Sequence, residues 1–422
     1  MIADRTWKTR CVILGGGMTA KYVGSLTRGR VGLVADAALE GHRNRLLGGD
    51  LKGVPVMNLT ASPVTVRTLR DVVGFAQVHR LDTLVGLGGG SVLDAVKLGA
   101  LFAADPALAI FVERNARRSG LLVLPPLPHS KRRPRTVLIP TTVGTGAEVS
   151  AVACLDTAVG RRLLASAQLA GDVAVLDPGH LATLPQALVL EGLLEAFLRV
   201  AGTMAGSTPN AFDGDGHQLL ARIVSVGERI RIDDSGCARL AAARLSMETH
   251  TGWSLVGRNP YGAKHWYVAN ELAYLTGARK MTATASVIAQ VWEEIVNGNA
   301  AWGDSRRLNR LWSEARREAP GLDPDPAKGI AELMSRWGIP QLKGVSHQTI
   351  GSAAAAAIRN WGGVLPMLRG LSAFQVQHVL RAAEAPAAEA PAAEAPAAEA
   401  PAVEAPGLPA PTAQGRRKEV IT

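Results

Sequence analysis

The stretch Leu84-Val85-Gly86-Leu87-Gly88-Gly89-Gly90-Ser91-Val92-Leu93-Asp94-Ala95-Val96-Lys97 decides how the first half of this 422-residue chain is read. An apolar run enters three consecutive glycines and leaves through a serine into residues with helical spacing, the pattern of strand, tight turn and helix. Glycines at such a junction let the amides of a helix N-terminus approach a phosphate without Cβ obstruction. The same triplet serves a plain strand-to-helix turn, and on this run alone both readings stand.

A second small-residue loop follows the next apolar run: Ile139-Pro140-Thr141-Thr142-Val143-Gly144-Thr145-Gly146-Ala147-Glu148-Val149-Ser150. Its threonine hydroxyls, flanked by glycines at the carboxyl end of a strand, are suited to a ribose or a nicotinamide amide in the same cleft. Around these loops, short runs at Cys11–Leu14, Val31–Ala35, Thr83–Leu87, Thr136–Pro140 and Val173–Leu176 alternate with helical patterns at Thr65–Phe75 and Ser91–Phe102. That alternation predicts a parallel α/β sheet. After Asp177 the strand patterns stop, and Ala/Leu/Arg segments at helical spacing run from 186 to 382, predicting an all-α second part. Ligands of such two-part chains lie in the cleft between the parts, at the carboxyl ends of the strands.

Between Asp105 and Arg135 the rhythm breaks into what reads as a basic loop, with Arg114, Arg117, Arg118, Lys131, Arg132, Arg133 and Arg135. It is either a solvated insertion or a docking patch for an acidic substrate. From Ala382 onward an Ala-Ala-Glu-Ala-Pro repeat, with proline every fifth residue, forbids a continuous helix and predicts a semi-stiff tail.

Composition narrows the function classes. With 47% hydrophobic and 19% charged residues the chain can bury large cores, and no uninterrupted apolar stretch is long enough to span a bilayer. The charged N-terminus MIADRTWKTR is unlike a signal peptide, and Cys11, Cys154 and Cys237 are too few and too scattered for a metal knot, so a reduced, cytoplasmic protein is expected. The net charge of +10 admits a phosphate-bearing cofactor or an acidic peptide. With aromatics at 4% there is little base-stacking capacity, and neither nucleic acid nor membrane is expected as a partner. The tryptophans after residue 250 are expected mostly in the core.

The two loops resemble the GGGSxxDxxK and PTTxGTGxEV motifs of the iron-containing alcohol dehydrogenases, relatives of dehydroquinate synthase. The resemblance runs on through Gly15-Gly16-Gly17, Arg30–Asp36, Ala61–Val66 and Gly171–Pro178, covering residues 10 to 190. It implies a Rossmann-like nucleotide-binding domain over residues 1–180, a helical domain over 181–381 and the tail over 382–422, in a dehydroquinate synthase-like fold. It also implies that Gly88, Gly89, Gly90, Ser91 and Asp94 bind the cofactor with Thr141, Thr142, Gly144 and Thr145, and that Asp36 meets the adenosine ribose. An acid there repels a ribose 2′-phosphate, so NAD is favoured over NADP. Asp36 is alternatively a loop-starting residue after a strand. Homo-oligomers are the rule in that family.

The same resemblance exposes a departure. Metal-using relatives supply an acid and a histidine four residues apart on one helix, then two more histidines. Here those places fall on Glu195 and Arg199, on His265 with Ala269 four residues on, and near Lys280. An arginine cannot ligate a cation, and Glu195 and His265 alone are a poor divalent site. Without a metal, hydride transfer needs a protein acid or base, and the candidates are His265, then Tyr267 and Lys264, with Lys280 beside them. The resulting expectation is an NAD(P)-dependent alcohol dehydrogenase-like oxidoreductase working without metal on a small molecule or a peptide. Whole-chain texture resembles the dehydrogenases of daptide-type ribosomal peptide pathways, whose substrate is a threonine of an acidic precursor peptide. The alternatives are a degenerate NAD-binding or partner subunit and a dehydroquinate synthase-like cyclase.

Overall fold

A computed structural model describes residues 9–41, 51 and 53–384. The described residues belong to one compact unit. Nine strands are found among them: β1 (Cys11–Leu14), β2 (Val31–Asp36), β3 (Val56–Leu59), β4 (Thr83–Gly88), β5 (Leu121–Val123), β6 (Arg135–Pro140), β7 (Val152–Thr157), β8 (Gly160–Ala165) and β9 (Val173–Leu176). Six of them form a sheet in the order β1-β9-β6-β4-β2-β3, parallel throughout.

The helices of this first part are α1 (Met18–Leu26), α2 (Val66–Val78), α3 (Gly90–Ala104), α4 (Ala107–Asn115) and the short α5 (Pro178–Leu181). A parallel sheet must hide both faces, and its strands divide accordingly. Val34, Leu84 and Leu138 join one core with α2 and α3, while Leu33, Val85, Leu87, Val137 and Ile139 join another on the opposite face.

The second part is helical. It holds α6 (Gln186–Ala205), α7 (Asp213–Ile232), α8 (Gly236–Thr251), α9 (His265–Thr276), α10 (Lys280–Val296), α11 (Ser305–Ala315), α12 (Pro326–Arg336), α13 (His347–Trp361) and α14 (Ala373–Leu380). Serine or aspartate side chains cap several starts: Ser235 accepts from the Ala238 amide, Asp304 from Arg307, and Ser372 forms a reciprocal capping box with Gln375. Phe197 of α6 packs against Trp292 and Trp312, with ring centroids 6.3 and 6.4 Å away. Trp302 and Trp337 are buried as well, whereas Trp253 is exposed and stacks on Phe212. The three cysteines are free thiols.

The fold class expected from the sequence is the one observed, an α/β sheet part followed by helices. Three details differ. The segment 105–135 is not a loop: it carries α4 and β5, and Lys131 and Arg133 pair with Asp105 and Asp172 at 2.7 and 2.8 Å. A second sheet, β5-β8-β7, contains an antiparallel hairpin that the sequence reading missed. Its strand signal is masked by Arg161 and Arg162. The buried Arg162 guanidinium donates to the carbonyls of Ala116, Val159 and Arg161 at 2.6, 2.9 and 3.0 Å, so a charged residue faces inward. Finally, Ala382–Glu384 belong to the fold, since Ala383 is buried and Glu384 meets His347 at 2.9 Å. The remainder of the Ala/Glu/Pro repeat lies outside the described residues. No single helix among the described residues is long and apolar enough to cross a membrane.

Candidate active site

Neighbouring strands bring the two loops together. Gly88 at the end of β4 is in register with Pro140 at the end of β6, and the Thr141 amide donates to the Gly88 carbonyl at 3.0 Å. Helix α3 starts immediately afterwards with Gly89 as its N-cap, and no side chain caps it. The amides of Gly90, Ser91 and Val92 therefore lack acceptors within the helix and carry the positive end of its dipole. Gly89, Gly90 and Ser91 are partly exposed.

The glycines are demanded by the second loop. A Cβ on Gly89 would sit 3.1 Å from Thr142 Cγ2, and one on Gly90 would sit 2.8 Å from Thr145 Cγ2. Thr142 and Thr145 are partly exposed beside the helix start, whereas Thr141 is buried. The cradle thus has amides on one wall and two hydroxyl-bearing side chains on the other.

The threonine loop is also fastened to the helical part. Gly144, at φ +105°, lies so close to Gly192 of α6 that a Cβ would meet the Gly192 Cα at 2.6 Å. Its amide donates to Ser246 Oγ of α8 at 3.0 Å. The Arg199 guanidinium of α6 donates to the carbonyls of Gly144 and Thr145 at 2.7 and 3.3 Å, to Thr249 Oγ1 at 2.8 Å and to Glu195 Oε1 at 3.4 Å. His250 Nε2 lies 3.2 Å from the Thr145 carbonyl. Gly192, Ser246, Thr249 and His250 escaped the sequence reading, because nothing in their local pattern marks a residue whose partner is far away in the chain, as much as 105 positions for His250 and Thr145.

Two cofactor-side carboxylates prove to have internal partners. Asp94 ion-pairs with the buried Lys97 at 2.9 Å and accepts the Cys154 amide at 2.9 Å. Lys97 further donates to Ser150 Oγ and the Val152 carbonyl at 3.2 and 2.6 Å. The pair staples α3 to β7, so the carboxylate expected on the cofactor side has its partners within the fold. Asp36, at the carboxyl end of β2, accepts the Ala38 amide at 3.0 Å through Oδ1 and so caps its own turn. The same carboxylate remains partly exposed beside β4.

Glu148, from the end of the threonine loop, is buried. Burial pushes its carboxyl above the usual range, opposed by the charges of Lys97 and Arg199.

On the helical side the expected proton-transfer residues do not converge. His265 is buried against Gly202 of α6 and beside Trp266, and its Nε2 has no hydrogen-bond partner among the described residues. Burial, helped by Lys280, pushes its pKa down to about 3. The imidazole is neutral near pH 7 and cannot act as an acid there. Tyr267 packs on Trp361, ring centroids 5.0 Å apart, and burial raises its hydroxyl pKa. Lys264 donates to the Ala301 and Arg369 carbonyls, so its ammonium is committed to loops of the helical part. Lys280 is different: it is partly exposed, lies 4.8 Å from the Trp266 ring centroid, and has no ion-pair partner among the described residues.

Residues 14–178 match the family described as iron-containing alcohol dehydrogenase. Over this segment, about two fifths of its length, the chain is similar to that family. Curated relatives agree: long-chain-alcohol dehydrogenase 1 of Geobacillus thermodenitrificans is 32% identical over 121 residues, 28% of each chain. The probable alcohol dehydrogenase EutG of Escherichia coli is 32% identical over 196 residues, 41% of this chain and 47% of that one. These matches span between about a quarter and a half of the relatives' length. The fold likeness reaches further. E. coli YqhD superposes with a TM-score of 0.75 at 20% identity, covering 91% of this chain and 99% of that one. The NADH-dependent butanol dehydrogenase A of Thermotoga maritima gives 0.72 at 18% identity, covering 90% and 99%.

The family's name implies a metal, and the residues present do not fit one. Among the described residues no group of three or more His, Cys, Asp or Glu is placed to hold an ion. Glu195 faces the Arg199 guanidinium, and His265 is enclosed by Gly202, Ala263 and Trp266. A nicotinamide dinucleotide fits better, because the uncapped α3 start and the bare Gly89 and Gly90 leave room and amides for its pyrophosphate.

Proposed function

We propose that this chain is a nicotinamide-dependent oxidoreductase interconverting an alcohol and its carbonyl compound, with NAD preferred over NADP. The observation that supports it best is the uncapped N-terminus of α3 facing Thr142 and Thr145 across Gly89 and Gly90. Free amides at the positive end of a helix dipole favour a pyrophosphate by electrostatics alone. When bound, the nicotinamide supplies the hydride acceptor or donor.

The chain's own residues then hold and orient. The Gly90, Ser91 and Val92 amides grip the pyrophosphate, the Thr142 and Thr145 hydroxyls orient the nicotinamide side, and Asp36 accepts from a ribose hydroxyl with the oxygen its own turn leaves over. In carbonyl reduction Lys280 Nζ, partly exposed beside Trp266, delivers the proton to the substrate oxygen. His265, which burial keeps from taking up a proton, shapes the wall of the helical side with Tyr267 and Lys264. No step is assigned to a metal.

The substrate is an alcohol or carbonyl of a small molecule. An acidic precursor peptide would instead meet Arg114, Arg117, Arg118 and Arg132, the exposed charges of the basic segment that pair with no carboxylate among the described residues. Assembly as a homo-oligomer belongs to the same proposal.

A second reading, an NAD-binding or partner subunit without turnover, is favoured by the missing metal donors. Titration with NADH and NADPH, followed by energy transfer from tryptophan to the nicotinamide, separates the two together with a screen of alcohols and aldehydes. Micromolar NADH binding with turnover supports the enzyme. Binding without turnover on any substrate supports the NAD-binding subunit, and absence of binding at millimolar NADH and NADPH overturns the enzyme and leaves the partner subunit.

A further inference from the structure

Arg199 is enclosed, with its side chain 14% exposed, yet its guanidinium spans three elements. It meets the carbonyls of Gly144 and Thr145 on the threonine loop, Thr249 on α8 and Glu195 on its own helix α6. Glu195 pairs with it at 3.4 Å, and the field of the buried Glu148 also reaches it. An arginine so placed stays charged and offers a planar fork that matches paired acceptors. Beside it, Gly144 touches Gly192 and gives its amide to Ser246, so carbonyl and amide of one residue are both held by the helical part.

We propose that Arg199 is the fixed cation of this cleft: it clamps the threonine loop to α6 and α8 and thereby shapes the nucleotide cradle without a divalent ion. Arg199 is a positioning residue. It acts on the cofactor through Thr142 and Thr145, whose place beside Gly89 and Gly90 depends on where the loop is held. The position that would complete an i, i+4 carboxylate and imidazole pair with Glu195 is filled by a group that repels cations. The nicotinamide part of this inference rests on the proposed function, whereas the clamp does not.

Two readouts on the intact protein test it. Hydrogen exchange follows the amides of residues 142–146, and NADH titration is run before and after dialysis against EDTA and with added Zn²⁺ or Fe²⁺. Arg199→Met is expected to speed exchange of the loop about tenfold or more and to weaken NADH binding about tenfold, the loss of charge-assisted hydrogen bonds. Arg199→Lys, which keeps the charge but not the fork, should restore part of both. Ser246→Ala leaves the guanidinium in place and should free the Gly144 amide with a smaller loss of affinity. Wild-type binding should be indifferent to chelator and to added metal.

The clamp is overturned by unchanged loop exchange in Arg199→Met, or, where that variant does not fold, in Arg199→Lys, which lacks the fork. Its metal-free character is overturned if chelation weakens NADH binding in the wild type or if added ion strengthens it. A wild type that binds no NADH refutes the proposed function instead, and the exchange measurement still decides the clamp.

Discussion

The two walls of the cleft are built from different materials. On the sheet side the surface is backbone: helix amides, bare glycines and a loop seated by strand register. On the helical side it is side chains, and there the places that the family resemblance assigns to ligands hold Arg199, Ala269 and Lys280. A backbone wall tolerates little substitution, since any Cβ at Gly90 strikes Thr145. A side-chain wall can change its chemistry one residue at a time while the helices beneath keep their packing. Shared sequence fades where the wall changes material: the family match ends at residue 178, whereas the fold likeness continues over 91% of the chain.

The comparison breaks most visibly if a buried charge of the sheet side is removed. Lys97→Met leaves Asp94 without its cation in a site where both are largely buried. Breaking such a pair typically costs about 3–5 kcal/mol, so a large fall in Tm is expected, read by thermal or urea unfolding. An unfolding midpoint near wild type would mean that the staple between α3 and β7 contributes little.

Next in size is Gly90→Val, which tests the backbone wall directly. Overpacking against Thr145 should displace the loop at roughly 1–3 kcal/mol, appearing as about a tenfold or larger rise in the NADH dissociation constant. Unchanged affinity would show that the cofactor does not use the start of α3.

These two predictions also mark how much the sequence disclosed. The α3 junction was legible because it needs three small residues in a row at a strand end, and the sheet because β-branched runs recur between helical periods. Arg199 was legible as a departure but not as a clamp, since its acceptors are carbonyls, which leave no trace in residue identity. Gly192 reads as an ordinary helical glycine until Gly144 lies against it. The β7–β8 hairpin was hidden by Arg161, whose guanidinium meets Asp156 within the hairpin, and by the inward-facing Arg162. The partners of Lys264 were hidden in the same way: its position in the chain adjoins His265, but its ammonium reaches for the carbonyls of Ala301 and Arg369.

A smaller effect with a diagnostic sign comes from Glu148. Burial raises its folded-state pKa, so the group costs no stability at pH values below its unfolded range and costs progressively more as pH rises toward the folded value. Glu148→Gln removes that cost. The variant should gain more in Tm at about pH 8 than at about pH 4, measured over a pH series. The opposite sign, a loss at high pH, would mean that the ionised carboxylate is needed to balance Lys97 and Arg199.

The smallest effect is expected at Asp36, where two roles share one carboxylate. Oδ1 caps the turn at Ala38, and the negative charge stands where a ribose would lie in the proposed complex. Asp36→Ser separates them, because a serine hydroxyl caps nearly as well as a carboxylate but carries no charge. Stability should therefore hold while cofactor preference moves. Binding of NADH should weaken by about 1 kcal/mol as one charged hydrogen bond is lost, and NADPH should gain because its 2′-phosphate is no longer repelled. Titrating both cofactors against both proteins measures the ratio, and thermal unfolding checks the cap. If the ratio stays fixed while Asp36→Ala lowers Tm, the carboxylate is a cap and the edge of the backbone wall lies at β4. If the ratio shifts without a change in Tm, that wall extends one strand further, to the end of β2.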